Sequence, residues 1–165
     1  MPGYACLPRL GSVVLRTLRY TRRMYTYPFP RPALTADVVA VRGAGAACEV
    51  LLIERGRGPF KGRWALPGGF VDEYELPESA ARRELAEETG VTWDGELALV
   101  GLFSKRGRDP RGWTVATAYL AHLDAAEVSP VAGDDAARVA WYAVDALPPL
   151  AFDHHEVIAA ALALR

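Results

Sequence analysis

Apolar positions from Leu34 onward fall into short runs and stripes whose spacing predicts alternating strands and helices. ALTADVVAV and EVLLIER are two apolar runs separated by the small, Gly- and Ala-rich turn RGAGAAC, and both read as strands. GRGPFKGRWALPGGF reads as a loop leading into a short strand, and ELALVGLF, WTVATAYLAHL and RVAWYAV are further strand candidates. A last helix is expected to start near Asp153, with Val157, Ile158, Ala161 and Leu162 as its apolar stripe. Between these lies a helix that begins near Pro77, an early helical position, and stops at Gly90. The patterns fix the elements but not the order of the strands in a sheet.

The helix between Pro77 and Gly90 carries the chemistry. The run GFVDEYELPESAARRELAEETGV, from Gly69 to Val91, spaces Gly69, Glu75, Arg83, Glu84, Glu87, Glu88 and Gly90 around apolar Leu85 and Val91. Chance would produce that set at roughly 10⁻⁸ per start position. At 100° per residue, Glu87 lies about 60° to one side of Glu84 and Glu88 about 40° to the other, so three carboxylates share one face. Their repulsion costs a few tenths of a kcal/mol per pair when exposed, roughly, and more where water is excluded, so a positive partner is expected. Carboxylate oxygens at this density suit Mg²⁺ or Mn²⁺. Arg83 is placed to pair with Glu87 or to reach back to Glu75. An acidic run by itself is usually a solvated helix face. Here Pro67, Gly68 and Gly69 precede it, and glycines let backbone turn sharply and approach a metal or phosphate closely.

Composition limits what surrounds this helix. The chain has 165 residues, 51% hydrophobic and 24% charged, which fits one globular domain with a substantial core. No apolar stretch approaches the length of a membrane span and no secretory leader pattern is present, so the expected location is cytoplasmic and no membrane partner is expected. Cys6 and Cys48 have no metal-ligand neighbours at useful spacing and read as reduced thiols. Residues 1–23 carry Arg9, Arg16, Arg19, Arg22 and Arg23 and no acid, whereas the remainder has 14 basic against 20 acidic residues. This basic extension is read as a mis-assigned start upstream of Met24, in preference to a targeting or membrane-surface segment, and as poorly ordered or loosely attached in either case. The single domain is expected over residues 24–165.

Gly69–Val91 matches the Nudix box, and RPALTADVVAV, PFKGRWALPGGFVDE, RDPRGWTVATAYLA, AGDDA and LPPLAFDHHEVI resemble the ADP-ribose pyrophosphatase branch of that family over nearly everything after Met24. The resemblance implies an α/β fold, the Nudix α/β/α sandwich with a mixed β-sheet between helices. It also implies hydrolysis of a nucleoside diphosphate linked to another group, here ADP-ribose to AMP and ribose 5-phosphate. Branch members that are repressors or adenylyltransferases carry extra domains, so a stand-alone hydrolase is the expectation. Carried over position by position, Glu84 and Glu88 look like the principal Mg²⁺ ligands, with Glu87 as a third and the Gly68 carbonyl as a main-chain donor. Arg83 and Glu87 are the catalytic candidates. The general base is left open between Glu87 and Asp134 or Asp135, since relatives differ in its source.

SKRGRDPRGW places Lys105, Arg106, Arg108 and Arg111 on one loop, either a phosphate-attracting lip or a solvated turn. Arg108, Arg111 and Trp113 are taken as substrate-binding, with Arg55 and Lys61 as further phosphate-side residues. Phe70, Phe103 and Trp113 are eligible to stack on adenine. His154 and His155 are adjacent on a helix, the wrong spacing for joint chelation, and read as structural, while His122 carries no evident chemistry. Tyr74 stands where many boxes have glycine, and Pro77 and Glu78 replace a more helix-friendly start, changes that touch substrate fit and not the ligands. Rival readings are hydrolysis of NADH, oxidised nucleoside triphosphates or dinucleoside polyphosphates, and a catalytically silent module that senses ADP-ribose or NAD derivatives. The expected partner is a small-molecule nucleotide. Specific nucleic-acid binding is not expected, and a homodimer is a common state of relatives.

Overall fold

The computed structural model describes residues 26–123, 132 and 136–164. The chain divides into two units, Met1–Pro30 and Arg31–Arg165, and every element below belongs to the second. Expectations for residues 1–23, for Cys6 and for Asp134 and Asp135 fall outside the described residues.

Among the described residues, seven strands form one mixed sheet: β1 Ala33–Arg42, β2 Glu49–Arg55, β3 Trp64–Ala65, β4 Gly68–Phe70, β5 Ala98–Phe103, β6 Thr114–His122 and β7 Ala136–Ala143. The main path runs β3-β2-β1-β6-β5, with β4 paired to β1 and β7 to β2. β1 and β6 are parallel over nine pairs, from Ala33 opposite Thr114 to Val41 opposite His122, and the other pairings are antiparallel. The turn between β1 and β2 contains a short 3₁₀ segment at Gly45–Ala47. GRGPFKGRWALPGGF contains two short strands, β3 and β4, where the sequence pattern predicts one; Pro67 separates them and cannot donate to a ladder.

Helix α1, Pro77–Thr89, covers one face of the sheet and α2, His154–Leu162, the other. Strand alternation sorts the core accordingly. Ala36, Val38, Ala40 and Leu51 pack with Ala80, Ala81 and Leu85 of α1, while Val39, Val41, Val50 and Leu52 pack with Val157, Ile158 and Ala161 of α2. This is the α/β/α sandwich. α1 starts on Pro77 and ends on Gly90 at φ 70°, a left-handed conformation suited to glycine, with the Gly90 N–H donating to the Ala86 carbonyl at 2.9 Å. Alanines at 80 and 81 bring that helix close to the sheet and keep its acidic side beside β4. Among the described residues, no helix is long and apolar enough to cross a membrane.

Candidate functional site

Gly68 and Gly69 on β4 lie between the acidic side of α1 and the β1 residues Ala36 and Asp37. The Gly68 N–H donates to Glu88 Oε2 at 3.0 Å, and the Glu84 carboxylate lies where a side chain at position 69 would begin. On the opposite face, the Asp37 carboxylate and the Ala36 carbonyl occupy the space a side chain at 68 would take. Asp37 pairs in register with Gly68 across the β1–β4 ladder. Two glycines thus leave only backbone between the carboxylates of α1 and that of β1.

Arg83 organises the α1 side. Its guanidinium donates bidentately to Glu75, Nε to Oε1 at 2.9 Å and Nη2 to Oε2 at 2.8 Å. It also donates to Glu84 Oε1 at 2.7 Å, Glu87 Oε2 at 3.3 Å and the Phe70 carbonyl at 3.1 Å. Arg83 therefore reaches both partners the spacing offers it. Its hydrogen bond holds the Glu75 carboxyl below its ordinary range. Tyr74, in the position many boxes give to glycine, has φ 64° and is exposed, so the loop keeps the backbone shape that glycine would adopt freely.

The carboxylates are strained electrostatically. Burial pushes Glu88 up to about 8, with Glu84 and Asp37 adding to it against the Gly68 hydrogen bond. Burial likewise raises Glu84, against Arg83, and lifts Asp37 to about 7 despite Arg108. Asp37 Oδ2 is buried without a hydrogen-bond partner. A set of oxygen donors raised by burial and by one another suits a hard divalent cation, which relieves both terms. Among the described residues no three side chains of the ligating types are already gathered into a metal-holding group, and Arg83 occupies the space between Glu84 and Glu87.

On the α2 face a cavity of about 60 Å³ opens onto the glycine pair, lined among others by Asp37, Arg55, Arg108, Arg111, Phe152 and His154. Arg108, predicted on an exposed lip, is instead buried, with Nε and Nη2 donating to Asp153 at 2.9 and 2.7 Å and Nη2 lying 3.9 Å from Asp37. The paired acids compensate the cost of burying its charge. Arg111 donates to Asp109, the shortest bond being 2.7 Å from Nη2, and its guanidinium lies 4.8 Å from the Phe70 ring centroid. Asp109 is buried, which would raise it, but the Arg111 hydrogen bonds prevail and hold it low. Arg55 donates from Nε to the Pro59 carbonyl at 2.8 Å.

A wider cavity of about 620 Å³ lies within the β5–β6 loop, lined by Lys105, Arg106 and exposed Trp113 among others. Asp109 borders both cavities. Lys61 is exposed on the turn before β3 and lines neither. Phe103 packs against the α2-side core and is unsuited to stacking, whereas Phe70 is exposed. His154 is buried and accepts the Leu66 N–H at Nδ1, while His155 faces outward. Sequence reasoning missed Asp37, Asp153 and Phe152. Asp37 left a signal, as the lone charge in ALTADVVAV.

The chain belongs to the NUDIX domain family, whose model matches residues 31–161. It is 42% identical over 110 residues to the ADP-ribose pyrophosphatase of Methanocaldococcus jannaschii, a match covering 67% of this chain and 63% of that protein. It is 34% identical over 140 residues to the ADPR responsive transcriptional repressor NtrR of Acinetobacter baylyi, covering 82% of this chain and 55% of the repressor. The chain thus spans less than two thirds of either relative. The NUDIX domain of Shewanella oneidensis NrtR, solved in complex with ADP ribose, superposes with a TM-score of 0.73 at 32% identity, covering 82% of this chain and 90% of that one.

Proposed function

We propose that this chain is a divalent-cation-dependent pyrophosphohydrolase that cleaves the diphosphate of a nucleoside diphosphate linked to a second group, with ADP-ribose as substrate and AMP and ribose 5-phosphate as products. The observation that carries the reading is the junction at Gly68–Gly69, where an acidic helix face on one side meets an arginine-lined cavity on the other. The likeness to the Methanocaldococcus jannaschii enzyme and to the ADP-ribose-bound NUDIX domain supports the substrate.

In this reading Glu84 and Glu88 would hold Mg²⁺, or Mn²⁺ in its place, with Glu87 as third ligand and the Gly68 carbonyl as main-chain donor. Such a cation, when bound, neutralises diphosphate charge and acidifies a bound water. Glu87, the most exposed of the three, is the candidate to take the proton as water oxygen attacks phosphorus and the bridging P–O bond breaks. Arg83 positions Glu84 and Glu87 for these tasks. Arg55 and Arg111 bind diphosphate oxygens, and Arg108, held by Asp153, lines the same cavity. Trp113 offers an exposed ring to the base at the neighbouring loop cavity. Lys61 stands farther out and serves at most to attract the anion.

Likeness to an ADPR-responsive repressor favours a second reading, in which the same site binds ADP-ribose without cleaving it. The deciding experiment measures AMP release from ADP-ribose with Mg²⁺, beside Glu88→Gln and Glu87→Gln variants and a panel of NADH, 8-oxo-dGTP and diadenosine polyphosphates. Turnover falling roughly 100-fold or more in Glu88→Gln, with the fold intact by circular dichroism, is the expected result. Faster cleavage of another panel member reassigns the substrate, and binding without cleavage establishes the sensor.

A further inference from the structure

Phe152 sits two residues before α2 with φ 52°, a left-handed conformation that bulky side chains rarely adopt. Such backbone persists where surrounding contacts over-determine it, and it clusters at ligand sites. The contacts here are specific. The Phe152 ring meets Phe60 edge to face at 4.9 Å between centroids and lies 5.2 Å from the His154 ring. The Arg55 guanidinium stands 4.9 Å from its centroid and the Arg111 guanidinium 5.6 Å. Each arginine also has a tether elsewhere, Arg55 on the Pro59 carbonyl and Arg111 on Asp109. Phe152 is only half-buried and lines the cavity beside the glycine pair.

We propose that Phe152 is a positioning residue for the diphosphate: its ring, aimed into the cavity by a left-handed backbone, orients the Arg55 and Arg111 guanidiniums over Gly68–Gly69. The inference rests on the reading of this cavity as a diphosphate site. Two guanidiniums at one small mouth repel each other, and the negative face of a shared aromatic ring offsets that repulsion. A guanidinium laid on a ring also loses less freedom when it binds phosphate, because its planar fork is already oriented. An aliphatic side chain would fill the same volume without either effect. The LAFDH segment thereby acquires a task beyond starting a helix: its phenylalanine serves the cavity while Asp153 holds Arg108 and His154 holds the Leu66 amide.

The test compares Phe152→Tyr, Phe152→Leu and Phe152→Gly. Tyr keeps the ring, Leu keeps apolar bulk, and Gly removes the ring while accepting the left-handed backbone without strain. Binding of ADP-ribose and of inorganic pyrophosphate is measured by calorimetry in a chelator, so that no turnover intervenes, and Tm is recorded for each protein. Loss of the ring is expected to weaken both ligands roughly tenfold in the Leu and Gly variants, with Tyr within about threefold of wild type. In Mg²⁺ the same variants should raise KM with kcat held, the signature of lost ground-state binding. Wild-type affinity in Leu and Gly overturns the proposal, as does equal weakening in all three variants that follows Tm. A wild-type protein that binds neither ligand removes the diphosphate site itself. Normal binding without hydrolysis counts against the proposed activity alone.

Discussion

Lowering the pH should destabilise this fold through His154. The imidazole is buried and its Nδ1 accepts the Leu66 N–H at 2.9 Å, so the ring proton resides on Nε2. A second proton would have to take the Nδ1 lone pair, breaking that bond and stranding the Leu66 amide. Burial, aided by the nearby Arg108 charge, lowers the folded pKa from 6.5 to about 3. Between those values the unfolded chain binds the proton and the folded one does not, so stability falls as pH falls below 6.5. The slope approaches about 1.4 kcal/mol per pH unit, and the loss between pH ~7 and ~5 is about 2 kcal/mol. Glu88 and Asp37, raised to about 8 and about 7, act in the opposite sense, because their folded forms take up protons first. The measurement must therefore be a difference. In His154→Asn the carboxamide oxygen can accept the Leu66 N–H without titrating, and the carboxylate contributions are common to both proteins. Urea unfolding of the pair across this pH range should show wild type losing about 2 kcal/mol relative to the variant. Parallel curves would refute the reasoning.

Two further substitutions probe the site's supports. Arg108→Met leaves Asp153 and Asp37 as uncompensated buried acids and should cost about 3–5 kcal/mol, read as a lowered Tm by calorimetry; a change under about 1 kcal/mol would mean the pair contributes no net stability. Gly69→Ala places a methyl on the Glu84 carboxylate and should lower kcat/KM for ADP-ribose roughly tenfold or more with Tm nearly unchanged, and unaltered kinetics would show that Glu84 need not pack there.

What could be read from the chain was local. Pro77 and Gly90 delimit α1 by backbone chemistry that depends on no distant residue, and the i, i+3, i+4 spacing of Glu84, Glu87 and Glu88 carries its geometry with it. The α2 stripe and the strand runs were legible for the same reason. The parallel pairing of β1 with β6 was not, since apolar alternation tells which face a strand buries and not which strand lies beside it. Arg108 looked like a lip residue because its sequence neighbours are polar turn formers. Its partner Asp153 lies 45 positions away, and the Leu66–His154 bond spans 88. Phe152 was hidden twice over, by a backbone conformation that its residue type does not advertise and by cations contributed from β2 and the β5–β6 loop.

The β1–β6 ladder has a consequence for how the chain is made. β1 emerges early in synthesis, yet the strand that completes one of its long edges begins at Thr114. Until then β1 can pair only on its other side, with β2 and β4, and nine residues of mostly apolar edge stay open. Closing that gap is a long-range event that weighs on folding speed, and an open apolar edge is a template for other chains. A ribosome paused before β6, or a fragment cut short there, exposes the strand that backs the glycine pair. Aggregation of truncated products should therefore begin at β1 and not at the acidic helix.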